Sequence, residues 1–320
     1  MYKLMTIAKN TFVETLRQPV YAVIIAAALL LFLISPALCM YTMDDDNKML
    51  REIGLSTLFL TSLFVAIFSA SGAVSVEMEN KTILTVLTKP VQRPIFILAK
   101  FLGVVGAVAL AHYLCTIGVL MTIRHGVLST ASDTHDWTVI GSAIGVAVTP
   151  VLLSAFFNYA YDWKFTSTAV VVGAILATLA LVFLALIDRD WQFNPAKNGI
   201  NKLDVYATIL LFMAAVVIGA VAVAISTRFN VIVTLSACIG VFLLGLTSDW
   251  IFGRYAGTHL WALIGRCLVP NLQVFWISDG IYENSAITFR YILSSASYAL
   301  TYTAGVLAVA VAVFQRRQIT

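Results

Sequence analysis

His125, Asp133, His135 and Asp136 stand close together in the polar stretch HGVLSTASDTHDW. Imidazole and carboxylate side chains suit a divalent transition metal. Their spacing matches no specific ligand pattern, and a solvated loop accounts for them as well, so no metal site is expected. His112, in AHYLC, and Asn158 fall inside apolar runs. A polar group there is either part of a transport path or is satisfied by a Ser, Thr or Tyr on a neighbouring helix. No HExxH, carboxylate dyad or Ser–His–Asp set is present, and no GxxxxGK[ST] phosphate loop occurs anywhere. The chain is therefore expected to be no enzyme and to bind no cofactor of its own.

The elements that position these residues are membrane spans. Of the 320 residues, 60% are hydrophobic and 11% charged, with a mean hydropathy of +0.93, far from the composition of soluble domains. A helix needs about 20 apolar residues to cross the hydrocarbon. Eight segments qualify: Val20–Tyr41, Ile53–Val76, Phe96–Thr122, Thr138–Tyr161, Thr166–Ile187, Asp204–Ser226, Val231–Phe252 and Thr288–Phe314. They are continuously apolar rather than alternating, which excludes barrel strands. The fold class expected is an all-α polytopic membrane protein. The first run is followed by Asp44, Asp45 and Asp46 rather than a small-residue cleavage site, and is expected to remain as an anchor. Cys39, Cys115, Cys238 and Cys267 form no CxxC pair and read as small apolar residues.

Small polar residues along the second span (Ser56, Thr57, Thr61, Ser62, Ser69, Ser71 and Ser75) predict close helix packing, as does the Gly141–Gly145 spacing on the fourth. Pro150 predicts a kink. Asp249 is expected to pair with Arg254 or Arg266. Segment 253–287, with Pro270 and with Trp261, Phe275 and Trp276 as an aromatic belt, is expected on the outer membrane surface, as a re-entrant or lid-like element.

With the N-terminus inside, Lys3, Lys9, Arg17, Lys81, Lys89, Arg93, Lys100, Lys164, Arg228, Arg316 and Arg317 lie on the inner side, Lys100 by snorkelling. That is more than half of the 20 basic residues, on shorter loops than the rest. Both termini are thus expected in the cytoplasm. Residues 1–19 read as an interfacial helix, with a plain cytoplasmic extension of the first span as the alternative, ahead of a single permease domain over 20–320. Leu4, Met5, Ala8, Phe12, Val13 and Leu16 gather on one side, and Pro19 ends the helix.

The inside stretch EMENKTILTVLTKPVQRP, residues 77–94, is long for a connector. Glu77 and Glu79 suit a helix start, Ile83, Leu84 and Leu87 share a face, Lys89 suits the end, and Pro90 stops the helix. An apolar face of that kind either docks in a groove on a partner or dips into the lipid interface. The run on to Gly103, with its Pro–Arg–Pro exit, resembles the loop after the second span in ABC exporter permeases of the type-2 superfamily. LVPNLQVFWISD (268–279) and the final FQRRQ are similar to that group too.

The resemblance implies a permease whose coupling helix, within loop 77–95, rests on a separate ABC ATP-binding subunit that supplies ATP and Mg. Glu77, Glu79, Asn80, Lys81, Ile83, Leu84, Leu87, Lys89 and Arg93 would be the ATPase-coupling residues. It also implies a second permease protomer, membrane lipid and an extracytoplasmic accessory protein as partners, with no nucleic acid, in a bacterial inner membrane. Eight spans depart from the usual six of that family, which leaves its lateral gate and substrate path untransferred. Two further readings stand beside export. One is a non-transporting mechanical transmitter acting on an extracytoplasmic partner; the other is a secondary transporter, for which His112 alone is thin support.

Overall fold

The computed structural model describes residues 2–39, 46–79, 92–128, 134–197, 200–278, 280 and 287–315, the side chains of 76–79 and 197 excepted. Among them lie α1 (Tyr2–Leu16), α2 (Pro19–Cys39), α3 (Asp46–Glu79), α4 (Arg93–His125), α5 (Trp137–Tyr161) and α6 (Phe165–Leu186). These are followed by α7 (Lys202–Ser226), α8 (Val231–Ser248), α9 (Leu260–Leu268) and α10 (Phe289–Gln315). Eight of them are long and apolar enough to cross a membrane, α8 being extended to Gly253 by a π turn. No strand occurs among the described residues beyond one isolated bridge, Ile187 to Phe193. The molecule is an all-α polytopic membrane protein.

The spans alternate in direction. One end of the bundle, the near end, holds the start of α4 and the ends of α3, α7 and α10; the far end holds the end of α4 and the starts of α3, α5 and α7. Expected and observed spans agree to within a few residues except at α3, which starts seven residues early, at Asp46. There the Asn47 side chain accepts from the Val127 N–H at 3.3 Å, and Leu50 packs on Cys39 and Val127. Those tertiary contacts carry a polar first turn that hydropathy alone rejects.

Three helices form the inside of the bundle. α3 and α7 are each 67% buried across their apolar window and α4 is 56% buried, whereas α5 is 17% buried. The small residues of α3 are what admit this packing: Thr61, Ser62, Ser69, Ser71 and Ser75 are all buried. The Gly141–Gly145 spacing is a different case. A Cβ at either glycine would meet nothing, so this pair packs against no helix among the described residues, contrary to expectation. Close approach occurs instead at Gly103 and Gly106 of α4, which receive Ala8, Thr11 and Phe12 of α1.

That contact also corrects the reading of the N-terminal helix. Its buried stripe is Ala8, Thr11, Thr15 and Leu16, set against α4, while Met5 and Tyr2 point outward. Pro36 would leave the Phe32 carbonyl without its helix donor, and the Ser35 hydroxyl supplies one at 2.9 Å. Pro150 is buried, with Gly173 of α6 beside its ring.

Segment 260–276 is less superficial than its sequence suggests. α9 exposes Leu260, Trp261, Leu263, Ile264 and Leu268, but the chain after it turns into the bundle. The Leu272 N–H donates to the Gly245 carbonyl at 3.1 Å, and Leu272 and Phe275 are buried, so Phe275 belongs to the core and not to an aromatic belt. Tyr302 and Tyr291 of α10 donate to the carbonyls of Leu268 and Val274 at 2.6 and 2.7 Å. Asp249 pairs with Arg266 at 4.0 Å. Cys39, Cys115 and Cys238 are buried, Cys267 is exposed, and none of the four is in a disulfide.

Candidate coupling site

The last four carbonyls of a helix have no donor within it and collect partial negative charge. At the near end, two such helix ends are met by side chains from α3, α4 and the α7–α8 turn. Ser75, near the end of α3, donates to the carbonyls of Phe229 at 2.8 Å and Ser226 at 3.3 Å, where α7 stops. Arg228 in that turn donates to the Val313 carbonyl of α10 at 3.0 Å. Arg93, the first residue of α4, donates to the carbonyls of Gln315 at 2.6 Å and Phe314 at 3.5 Å. Beneath it, Phe96 and Phe314 stack with ring centroids 5.9 Å apart, both fully buried. Lys100 is buried rather than at the rim, its Nζ 5.7 Å from the Phe96 ring centroid.

These contacts flank the predicted coupling segment on both sides. The backbones of Glu77 and Glu79 lie in the last turn of α3. Their side chains, and all of Asn80, Lys81, Ile83, Leu84, Leu87, Lys89 and Pro90, lie outside the described residues. Arg93 is where the described chain resumes its helix, with Gln92 in extended conformation at its cap and Pro94 tolerated in the first turn.

His112 is held in the middle of the bundle. Its Nδ1 is 2.7 Å from the Ser62 hydroxyl of α3, and its Nε2 is 2.9 Å from the Thr208 carbonyl of α7. A carbonyl only accepts, so Nε2 carries a proton; Phe212 lies against the ring, centroids 5.4 Å apart. His112 thus ties the three inner helices together. Asn158 stands apart from it, exposed in the last turn of α5, its amide donating to the Trp163 carbonyl at 2.5 Å across the α5–α6 turn.

The far end is organised by Arg124, whose side chain is 4% exposed. Its guanidinium donates to the Ile187 carbonyl at 2.8 Å, to Thr138 Oγ1 at 3.0 Å, to the Leu184 carbonyl and to Asp136 at 3.4 Å. Asp136 also caps α5, accepting from the N–H groups of Thr138 and Val139 at 3.1 and 3.2 Å and from the Thr138 hydroxyl at 2.5 Å. Burial would raise its carboxyl pKa; the hydrogen bonds from Thr138 and Val139 and the Arg124 charge outweigh that and hold it below the ordinary carboxylate value. Asp136 therefore serves a cap and an ion pair. His125 and His135 do approach, ring centroids 5.8 Å apart, while Asp133 lies outside the described residues. No group of three metal-ligating side chains occurs among the described residues.

Sequence reasoning missed Arg124, Arg228 and the role of Ser75. A usable signal existed for the arginines, since each directly follows an apolar run whose neighbouring helix ends nearby. Nothing in the sequence says which carbonyls they reach.

Residues 15–172 match the family model described as ABC-2 family transporter protein. No curated protein and no solved structure matches the chain.

Proposed function

We infer that this chain, which belongs through residues 15–172 to the ABC-2 transporter family, is the membrane-spanning subunit of an ATP-driven exporter. In this reading both termini and segment 77–95 face the cytoplasm of a bacterial cell. A separate ATPase subunit holds ATP and Mg and docks on the face formed by Ile83, Leu84 and Leu87. Two permease chains sit above two ATPases.

The observation that carries the reading is the pair of braces on either side of segment 80–91. Ser75 on one side grips the end of α7, and Arg93 on the other grips the end of α10. Displacing that segment would move α3 and α4 against two further helices at once. This is what a lever between a nucleotide-driven partner and a membrane bundle requires. A second reading, mechanical action on an extracytoplasmic partner without transport, has one feature in its favour: the exposed apolar residues of α9 at the far end.

Replacing Leu84 and Leu87 by Asp tests the docking face. Co-purification in mild detergent is expected to lose the ATPase while the membrane chain keeps its yield and melting temperature. Undiminished co-purification refutes the assignment of that face. ATP-driven substrate movement by the intact complex in vesicles then distinguishes export from mechanical transmission.

A further inference from the structure

We propose that the α1–α2 corner and the α5–α6 turn together form a binding site for one phospholipid headgroup, with phosphatidylethanolamine the favoured ligand. A cavity of about 380 Å³ opens there, lined by Arg17, Asp162, Trp163, Lys164, Ser167 and Thr168. Arg17 and Lys164 are exposed, and neither side chain has a hydrogen bond or ion pair within the described fold. Two cations that no ion pair among the described residues engages suit a phosphodiester, which Arg and Lys recognise through charge-assisted hydrogen bonds. The Ser167 and Thr168 hydroxyls already donate to the Lys164 carbonyl at 3.1 and 2.9 Å.

The surroundings identify a membrane source for that phosphodiester. Trp163 stacks on Phe157 with centroids 5.0 Å apart, and Tyr161 lies 6.3 Å from Trp163. Tyr159, Tyr161, Trp163 and Phe165 are all exposed. Exposed aromatic rings at the end of an apolar hairpin mark the headgroup level of a bilayer. Asp162 selects among headgroups. It is the one acid among the described lining residues, it has no ion pair among the described residues, and it would repel a phosphodiester anion lying against it. An ammonium group bonded to the same headgroup removes that repulsion, whereas a choline offers no N–H to a carboxylate.

Such a lipid has a mechanical place to act. Asp162 sits in the left-handed region, φ 55°, as the cap that turns α5 into α6. The far end of this hairpin is fixed by Arg124, but among the described residues its near end is tied to the α1–α2 corner by one long hydrogen bond. That bond runs from Thr166 Oγ1 to the Arg17 carbonyl at 3.4 Å. A headgroup bridging Arg17 and Lys164 would add a second polar tie at the near end of α5, the least buried of the eight spans.

The test uses the full chain in detergent, melted with added dioleoyl phosphatidylethanolamine, phosphatidylglycerol or phosphatidylcholine, or with inorganic phosphate. Phosphatidylethanolamine is expected to raise the melting temperature by about 2–4 °C over phosphatidylcholine. The double variant Arg17→Gln/Lys164→Gln should melt like the parent without lipid and lose this increment. Asp162→Asn should keep binding but lose the preference over phosphatidylglycerol. Native mass spectrometry should find one retained lipid per chain, absent from the double variant. Equal shifts from all three lipids, a shift reproduced by inorganic phosphate alone, or an increment that survives in the double variant would each overturn the proposal.

Discussion

Arginines organise both ends of this bundle, in opposite ways. At the far end Arg124 is enclosed and its partners form a closed set: the Asp136 carboxylate, the Thr138 hydroxyl and two carbonyls of α6 and the strap after it. At the near end Arg93 and Arg228 reach from the rim to the terminal carbonyls of α10, and the contacts to Val313 and Gln315 are exposed. An enclosed charge cannot leave its partners without stranding them away from water. A rim arginine on a helix end loses only about 0.3–1 kcal/mol, and water can take its place. The far end therefore behaves as a fixed joint for α4, α5 and α6, and the near end as one that can slip and re-form. A lever needs both.

Breaking the far joint should have the largest effect. Arg124→Met leaves the Asp136 carboxylate buried without its counter-charge and should cost about 3–5 kcal/mol, read as a lowered melting temperature of the detergent-solubilised chain. If the double variant Arg124→Met/Asp136→Asn recovers much of that loss, the stranded charge is its cause; no recovery points to lost packing. A smaller effect should come from acid. Asp136 has a folded-state pKa below its unfolded value, so its contribution is fully present above the unfolded value and is lost as pH falls through the folded one. Acidifying from about pH 7 to about pH 3 should lower the parent's melting temperature more than that of Asp136→Asn. Parallel curves would remove Asp136 from the joint.

How much of this was legible in sequence depends on which force fixes each feature. Continuous apolarity set the eight spans because transfer to hydrocarbon is additive along a helix and needs no partner. It failed at α3, whose first turn is polar and is carried by Val127 and Cys39 from elsewhere in the chain. The Ser-rich face of α3 was readable as packing, since small size is a property of the residue itself. The glycine pair on α5 was not, because the same spacing serves an open face equally well. His112 was readable as polar and buried, with a hydroxyl among its expected partners, but a carbonyl such as that of Thr208 has no sequence signature. The near-end joint is the extreme case: Arg93 and Arg228 reach backbone oxygens 222 and 85 residues away. Any residue type supplies those oxygens, so only the fold could reveal them.

The smallest effect on stability should accompany the sharpest effect on coupling. Arg93→Gln combined with Arg228→Gln removes both charges from the end of α10. Gln still donates a neutral hydrogen bond, so the expected loss is about 0.5–2 kcal/mol for the two sites together, far below that of Arg124→Met. If the near end is the slipping half of a lever, this variant should still co-purify with the ATPase in parental amount, because Leu84 and Leu87 are untouched. ATP turnover should persist, while ATP-dependent movement of α10 falls; a fluorophore on a cysteine introduced at Gln315 would read that movement. A variant that melts like Arg124→Met would make both ends equally rigid and erase the contrast. Parental movement of α10 would mean that force reaches that helix by another route, through α7, on which α10 also packs.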